Sequence, residues 1–145
     1  MKKYYYIIYI STFICFIIGC SSSSIKVERN ALIGVSNFTI YDSTEGKIGE
    51  GILEIKKNDN NILSGIYKIM KYPDVFPDYW PKEGFFEGNY NSNDNKIFLN
   101  MNPKLADNNV FINASRQNDS LFGKWSYSTI LGESASGVFK AGKVK

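Results

Sequence analysis

Short runs of alternating apolar and polar residues, cut by clusters of Asn, Asp and Gly, constrain this chain more than any other feature. A period of two sends successive side chains to opposite faces of an extended strand, so that one face is buried and the other meets water. Eight such runs follow one another, at 32–41, 47–57, 62–71, 83–91, 96–102, 109–115, 120–128 and 135–142. Between them stand Thr44-Glu45-Gly46, Asn58-Asp59-Asn60-Asn61, Asn91-Ser92-Asn93-Asp94-Asn95 and Gln117-Asn118-Asp119. Asn and Asp tolerate left-handed backbone angles and bond back to their own main chain, which suits tight antiparallel reversals. Most of these links are too short for a helical crossover, which excludes a parallel sheet. The expectation is an all-β, antiparallel domain.

Within the runs one pattern recurs: an apolar residue, a gap, glycine, a gap and an aromatic. It occurs at Leu63-Ser64-Gly65-Ile66-Tyr67, Phe86-Glu87-Gly88-Asn89-Tyr90 and Leu121-Phe122-Gly123-Lys124-Trp125. Alternate positions share a face, so the apolar residue, the glycine and the ring line one side. A glycine inside a strand marks a bend or a close approach, and the strongly coiled strands of a small closed barrel give it a use. This pattern resembles that of avidin-like and lipocalin-like barrels. The resemblance implies an up-and-down barrel of about eight strands with its first strand paired to its last; an open β-sandwich is the alternative. The chain lacks a lipocalin-style Gly-x-Trp near its first strand, where Phe38 stands instead, and it lacks the tryptophans of the avidin pocket.

Ahead of the strands, Lys2 and Lys3 precede an apolar stretch from Tyr4 to Ile18, broken by Ser11 and Thr12, and Ile17-Ile18-Gly19-Cys20 leads into four serines. A basic start followed by a short apolar stretch is the arrangement of a secretory signal, and it falls short of the roughly 20 residues a spanning helix needs. The Cys20 segment resembles the lipobox of bacterial lipoproteins. The resemblance implies cleavage between Gly19 and Cys20 and acylation of Cys20, whose thiolate is the nucleophile for the lipid donor. Several acyl chains on one residue hold a protein to a membrane almost permanently. By the same resemblance, Ser21, where aspartate would signal retention at the inner membrane, favours the outer membrane. The expected organisation is a signal peptide at 1–19, a flexible tether at 20–30 and a barrel domain at 31–145, in an exported protein lipid-anchored in the cell envelope.

Composition then removes function classes. Lys2 and Lys3 hold two of the 17 basic residues, leaving 15 against 14 acidic ones, so the domain has no electrostatic footprint for nucleic acid. By the lipobox resemblance Cys15 would leave with the signal and Cys20 would be acylated, so the expectation is no intramolecular disulfide and a core held by burial. Ten Phe, ten Tyr and two Trp supply the material. Histidine is absent, which removes the commonest general base and the commonest metal ligand together. With no free thiol either, zinc sites and Cys–His or Ser–His–Asp catalysis lack their parts. The expectation is a protein that is not an enzyme, with no catalytic residue, no metal and no cofactor. Asp74 and Asp78 form a carboxylate pair at loop spacing, but exposed loop acids are ordinarily solvated and nothing beside them makes a calcium loop.

Two groups of residues are candidates for binding. The segment 72–81 carries Tyr72, Phe76, Tyr79 and Trp80 among three prolines. Stiff, aromatic-rich loops suit a sugar, a lipid or a protein partner, whereas Phe76 and Trp80 turned inward would plug one barrel end. Tyr67, Tyr90, Trp125 and Tyr127 fall on the expected inward face and line either a ligand cavity or a packed core. Function divides accordingly. One expectation is a binding module for a small apolar ligand, a glycan or an envelope protein; the other is a structural envelope protein with a filled barrel. An open interior separates them.

Overall fold

The computed structural model describes residues 32–74 and 76–144. Gly19 and Cys20, and the signal and anchor expectations that rest on them, lie outside these residues. Eight strands run in order: β1 (Gly34–Tyr41), β2 (Lys47–Asp59), β3 (Ile62–Lys71), β4 (Glu83–Asn91), β5 (Lys96–Asn100), β6 (Asn109–Gln117), β7 (Ser120–Thr129) and β8 (Gly132–Lys143). Each pairs antiparallel with the next, and β8 pairs antiparallel with β1, from Ser36 against Lys143 to Tyr41 against Val138. The fold is thus the closed up-and-down barrel, not the open sandwich. Closure gives every strand among the described residues a neighbour on both sides, which removes the open edge strand that recruits others.

β3 and β4 occupy the residues that the alternation marks. β7 and β8 run further than expected and meet at Thr129 opposite Gly132. Hydrophobic patterning misses these ends because they have no buried face: from Ser126 to Val138 no residue is fully buried.

The turns follow from residue chemistry. Asn60 and Asn61 join β2 to β3 at φ of 50° and 69°, Asn95 precedes β5 at 56°, and Asn118 opens the β6–β7 reversal at 55°. These are left-handed angles that Asn adopts at little cost. In the β1–β2 turn, one Asp42 carboxylate oxygen accepts from the Thr44 hydroxyl (2.7 Å), the Thr44 amide (2.8 Å) and the Gly46 amide (2.9 Å). The hydroxyl first, then the two amides, hold the Asp42 carboxyl below its ordinary pKa.

Inside, glycines face bulky residues across the strands: Gly51 opposite Phe38, Gly65 opposite Phe86, Gly88 opposite Leu99, Gly123 opposite Phe139 and Gly137 opposite Trp125. A Cβ on Gly65 would run into the Glu54 carbonyl oxygen and stand 2.6 Å from the Phe86 ring. The missing side chain is the space its neighbour fills, an arrangement that lets strongly curved strands pack without voids. The interior is therefore a continuous apolar core in which Leu53, Leu63, Phe86, Leu99, Ile112 and Phe139 have no accessible surface.

The up-and-down order sorts the connections between two ends. Residue 32, Val144 and the turns after β2, β4 and β6 lie at one, the start end. There the Val144 amide donates to the Val35 carbonyl at 2.9 Å. The connections after β1, β3, β5 and β7 lie at the other, the loop end.

Candidate functional site

The β3–β4 connection folds over the loop end and closes it. Lys71–Pro81 is pinned at both sides: the Ile69 amide donates to the Lys82 carbonyl (2.6 Å), and the Trp80 amide donates to the Pro77 carbonyl (3.1 Å). Phe76 and Trp80 turn inward and are buried, Trp80 to 1% exposure. The Trp80 ring lies 5.1 Å from that of Trp125, tilted by 58°, a geometry aromatic pairs favour. Trp125 in turn donates its indole N–H to the Tyr41 carbonyl at 2.7 Å. Tyr79 stacks on Tyr127 with centroids 4.1 Å apart, and the Tyr127 hydroxyl donates to Asn108 Oδ1 at 2.8 Å.

Four of the candidate residues, Tyr79, Trp80, Trp125 and Tyr127, thus come together, as a plug. Burial, and after it the neighbouring Tyr127, raises the Tyr79 pKa above its ordinary value. Tyr67 is buried opposite Gly84 with no hydrogen-bond partner for its hydroxyl, and burial pushes its pKa up to about 12. Tyr90 stands apart from the others, donating to Asn95 Oδ1 at 2.7 Å beside the β4–β5 turn at the start end. Tyr72 alone of the loop aromatics is exposed; it packs on Phe76 at 5.5 Å and carries Lys82 Nζ over its ring at 4.1 Å.

Two pairs of expected alternatives separate here. Phe76 and Trp80 take the inward of their two expected arrangements, buried as a plug against Trp125. Tyr67, Tyr90 and Trp125 do not border a shared cavity; each ring is packed among core side chains. At the start end, the recess between Leu32, Ile55 and Leu121 measures about 20 Å³, room for one water and no ligand.

The surfaces available for contact lie elsewhere. At the tip of the β7–β8 hairpin, Ile130 and Leu131 are 88% and 96% exposed. The reversal takes its positive φ, 110°, at Gly132, where a tight turn of this kind needs glycine. Ordinary turn chemistry would place Asn, Asp or Pro at the two tip positions. The signal was present in Thr129-Ile130-Leu131-Gly132: two large aliphatics just before a glycine between strands, with no Asn or Asp to make the turn.

The outer wall also carries grooves. Two, of about 370 and 380 Å³, lie on the outside of β2, β3 and β4 and share Ile66 and Phe85. A third, of about 430 Å³, crosses β4 to β7. There Asn89, Phe98, Asn113 and Lys124 sit directly opposite one another on successive strands. Among the described residues, no three His, Cys, Asp or Glu side chains gather to hold a metal. Asp74 and Asp78 are both exposed. No protein-family model matches the chain, and no curated protein matches it.

Proposed function

We propose that the protein is a lipid-anchored, non-catalytic envelope module that grips a protein partner with the Ile130–Leu131 tip. The observation that carries this reading is the exposure of two adjacent large aliphatics on a hairpin that extends from the loop end. Burying such a pair in a partner would contribute about 1.5–3 kcal/mol per side chain, whereas leaving it in water serves no structural purpose. The tip stands at the barrel end opposite residue 32, where the chain arrives from Cys20. A membrane anchor there leaves the tip pointing outward. No Lys or Arg occurs between Trp125 and Phe139, and Glu133 follows the tip. That charge pattern favours an apolar protein pocket over an anionic lipid surface. The plugged barrel argues against a small apolar ligand inside, and the absence of histidine argues against catalysis.

The test is a photo-crosslinking amino acid at position 130 in the full chain, irradiated in intact cells. One discrete protein adduct is expected, and it should vanish when Leu131→Asp is added while the melting temperature holds. Adducts to lipid alone, or a protein adduct indifferent to Leu131→Asp, would overturn the reading. A glycan partner is the second reading, favoured by the Asn–Phe–Asn row in the groove of about 430 Å³, which the exposed ring of Phe122 also lines, since amides beside an exposed ring suit sugar hydroxyls and C–H faces. In that case Phe122→Ala would weaken binding to isolated cell-wall glycan and the tip substitution would not.

A further inference from the structure

The outer faces of β2, β3 and β4 carry apolar side chains where a barrel wall should be polar. Ile66 and Phe85 lie directly opposite each other on β3 and β4. Phe85 is 61% exposed and stands as a ridge between two grooves of nearly equal volume, about 370 and 380 Å³. Ile52 and Met70, also exposed, extend the apolar surface along one groove. A ridge flanked by matched grooves is the shape that a copy of itself would fit.

The charges around this ridge are balanced. Glu54, Glu83 and Glu87 alternate with Lys56, Lys68 and Lys104 in the linings of the two grooves. Lys68 pairs with Glu83 at 2.8 Å, and Lys104 Nζ lies 5.4 Å from the Phe85 ring centroid. A partner of strong net charge gains nothing from such a neutral rim, but a second copy does, because a two-fold axis can bring each sign against the other.

The register decides which axis does so. Ile66 is level with Phe85, Lys68 with Glu83, and Ser64 with Glu87. A two-fold axis across the strands, through the Ile66–Phe85 level, would set Glu83 against Glu87 of the partner subunit, and Glu54 against its own counterpart. An axis parallel to the strands, between β3 and β4, keeps each residue at its level and exchanges the strands. It sets Ile66 against the partner's Phe85, and Lys68 against the partner's Glu83. It also turns Glu54 toward the side that carries the partner's Lys104. Like-charge contact disfavours the first arrangement and complementarity supports the second.

We infer that this face is a two-fold interface between two copies of the chain, with strands running parallel and the Phe85 ridge of each copy seated beside Ile66 of the other. Both loop ends then point the same way, so that two Ile130–Leu131 tips act side by side and raise the effective affinity for a partner with repeated sites. The inference stands independently of the tip's role, because the self-association is measured without any partner.

The experiment uses the full chain in detergent, with light scattering after size exclusion over a wide concentration range, and zero-length carbodiimide crosslinking on membranes. The wild type should give a concentration-dependent dimer and a covalent dimer band. Phe85→Glu should remove both while leaving the thermal melt in place, since Phe85 lies outside the core. Lys68→Glu alone should also remove the dimer by placing like charges across the axis, and Lys68→Glu with Glu83→Lys should restore it. A monomer at every concentration, a dimer that survives Phe85→Glu, or a folded double exchange that fails to recover the dimer would each overturn the interface.

Discussion

At the scale of single residues, Trp80 and Trp125 are two halves of one contact reached by different routes. Trp125 is placed by the strand alternation, whereas Trp80 arrives by a loop that turns back over the mouth. Both are almost fully buried, so Trp80→Ala and Trp125→Ala should each cost about 3–5 kcal/mol of folding stability. Trp125→Ala should cost about 1 kcal/mol more, because it also abandons the Tyr41 carbonyl that its indole N–H satisfies. The Trp80 indole N–H has no such partner. Thermal melts of the two variants check this, and a Trp80→Ala protein that melts like the wild type would mean the loop is no plug. Tyr67 adds a pH signature. Burial raises its pKa from 10.0 to about 12, so the folded state holds the phenol proton more tightly than the unfolded chain does. Its contribution is complete below pH 10 and is lost as the pH rises from about 10 to about 12. Tyr67→Phe should change stability at neutral pH by no more than about 1 kcal/mol, the hydroxyl having no partner. It should also flatten the alkaline fall in melting temperature relative to the wild type.

At the scale of elements, the β7–β8 hairpin departs from its neighbours. The other reversals are built from residues that fit their geometry: Asn60-Asn61, Asn95 and Asn118 take left-handed angles, and the Asp42 carboxylate organises the β1–β2 turn. The β7–β8 tip has its glycine in place but holds two aliphatics in water. Replacing them with the residues the turn prefers, as Ile130→Asn with Leu131→Asp, should leave the melting temperature equal to or above that of the wild type. Leu131→Asp alone, with the crosslinking residue kept at position 130, should abolish the adduct. A large drop in melting temperature would assign the tip a structural role. Opposite behaviour is built into β3 and β4, where Gly65 faces Phe86 and no residue with a side chain fits without moving the Glu54 carbonyl. On the proposed reading, function and folding are carried by different elements of one barrel.

At the scale of the whole molecule, closure is what makes a domain of this size self-sufficient without a disulfide. Pairing β1 with β8 satisfies both edges, and the plug completes the burial at the loop end. The proposed lipid anchor on Cys20 belongs to the whole chain as well. Cys20→Ala should abolish incorporation of radiolabelled fatty acid and leave either an uncleaved precursor or a released product. Labelling that persists in the variant would remove the lipoprotein reading and, with it, the outward orientation of the tip.

The strand order, the turns after β2, β4 and β6, and the inward set of Leu63, Phe86, Leu121 and their partners are written in local pattern. Period-two alternation and Asn-rich reversals act over a few residues and need no distant neighbour to be read. The inward placement of Tyr67, Tyr90 and Trp125 was legible for the same reason. Closure was legible only through the resemblance, with the sandwich as its alternative, and the burial of Trp80 stood as one of two readings; the exposure of Ile130, Leu131 and Phe85 was not legible. Each depends on which residues from remote strands arrive at the same place. Trp80 is covered because its loop folds back against Trp125, and Ile130 and Leu131 are bare because they lie beyond the last pairing of β7 with β6, at Ser128, and of β8 with β1, at Val138. Burial is a property of the assembled surface, and local sequence carries only the tendency toward it.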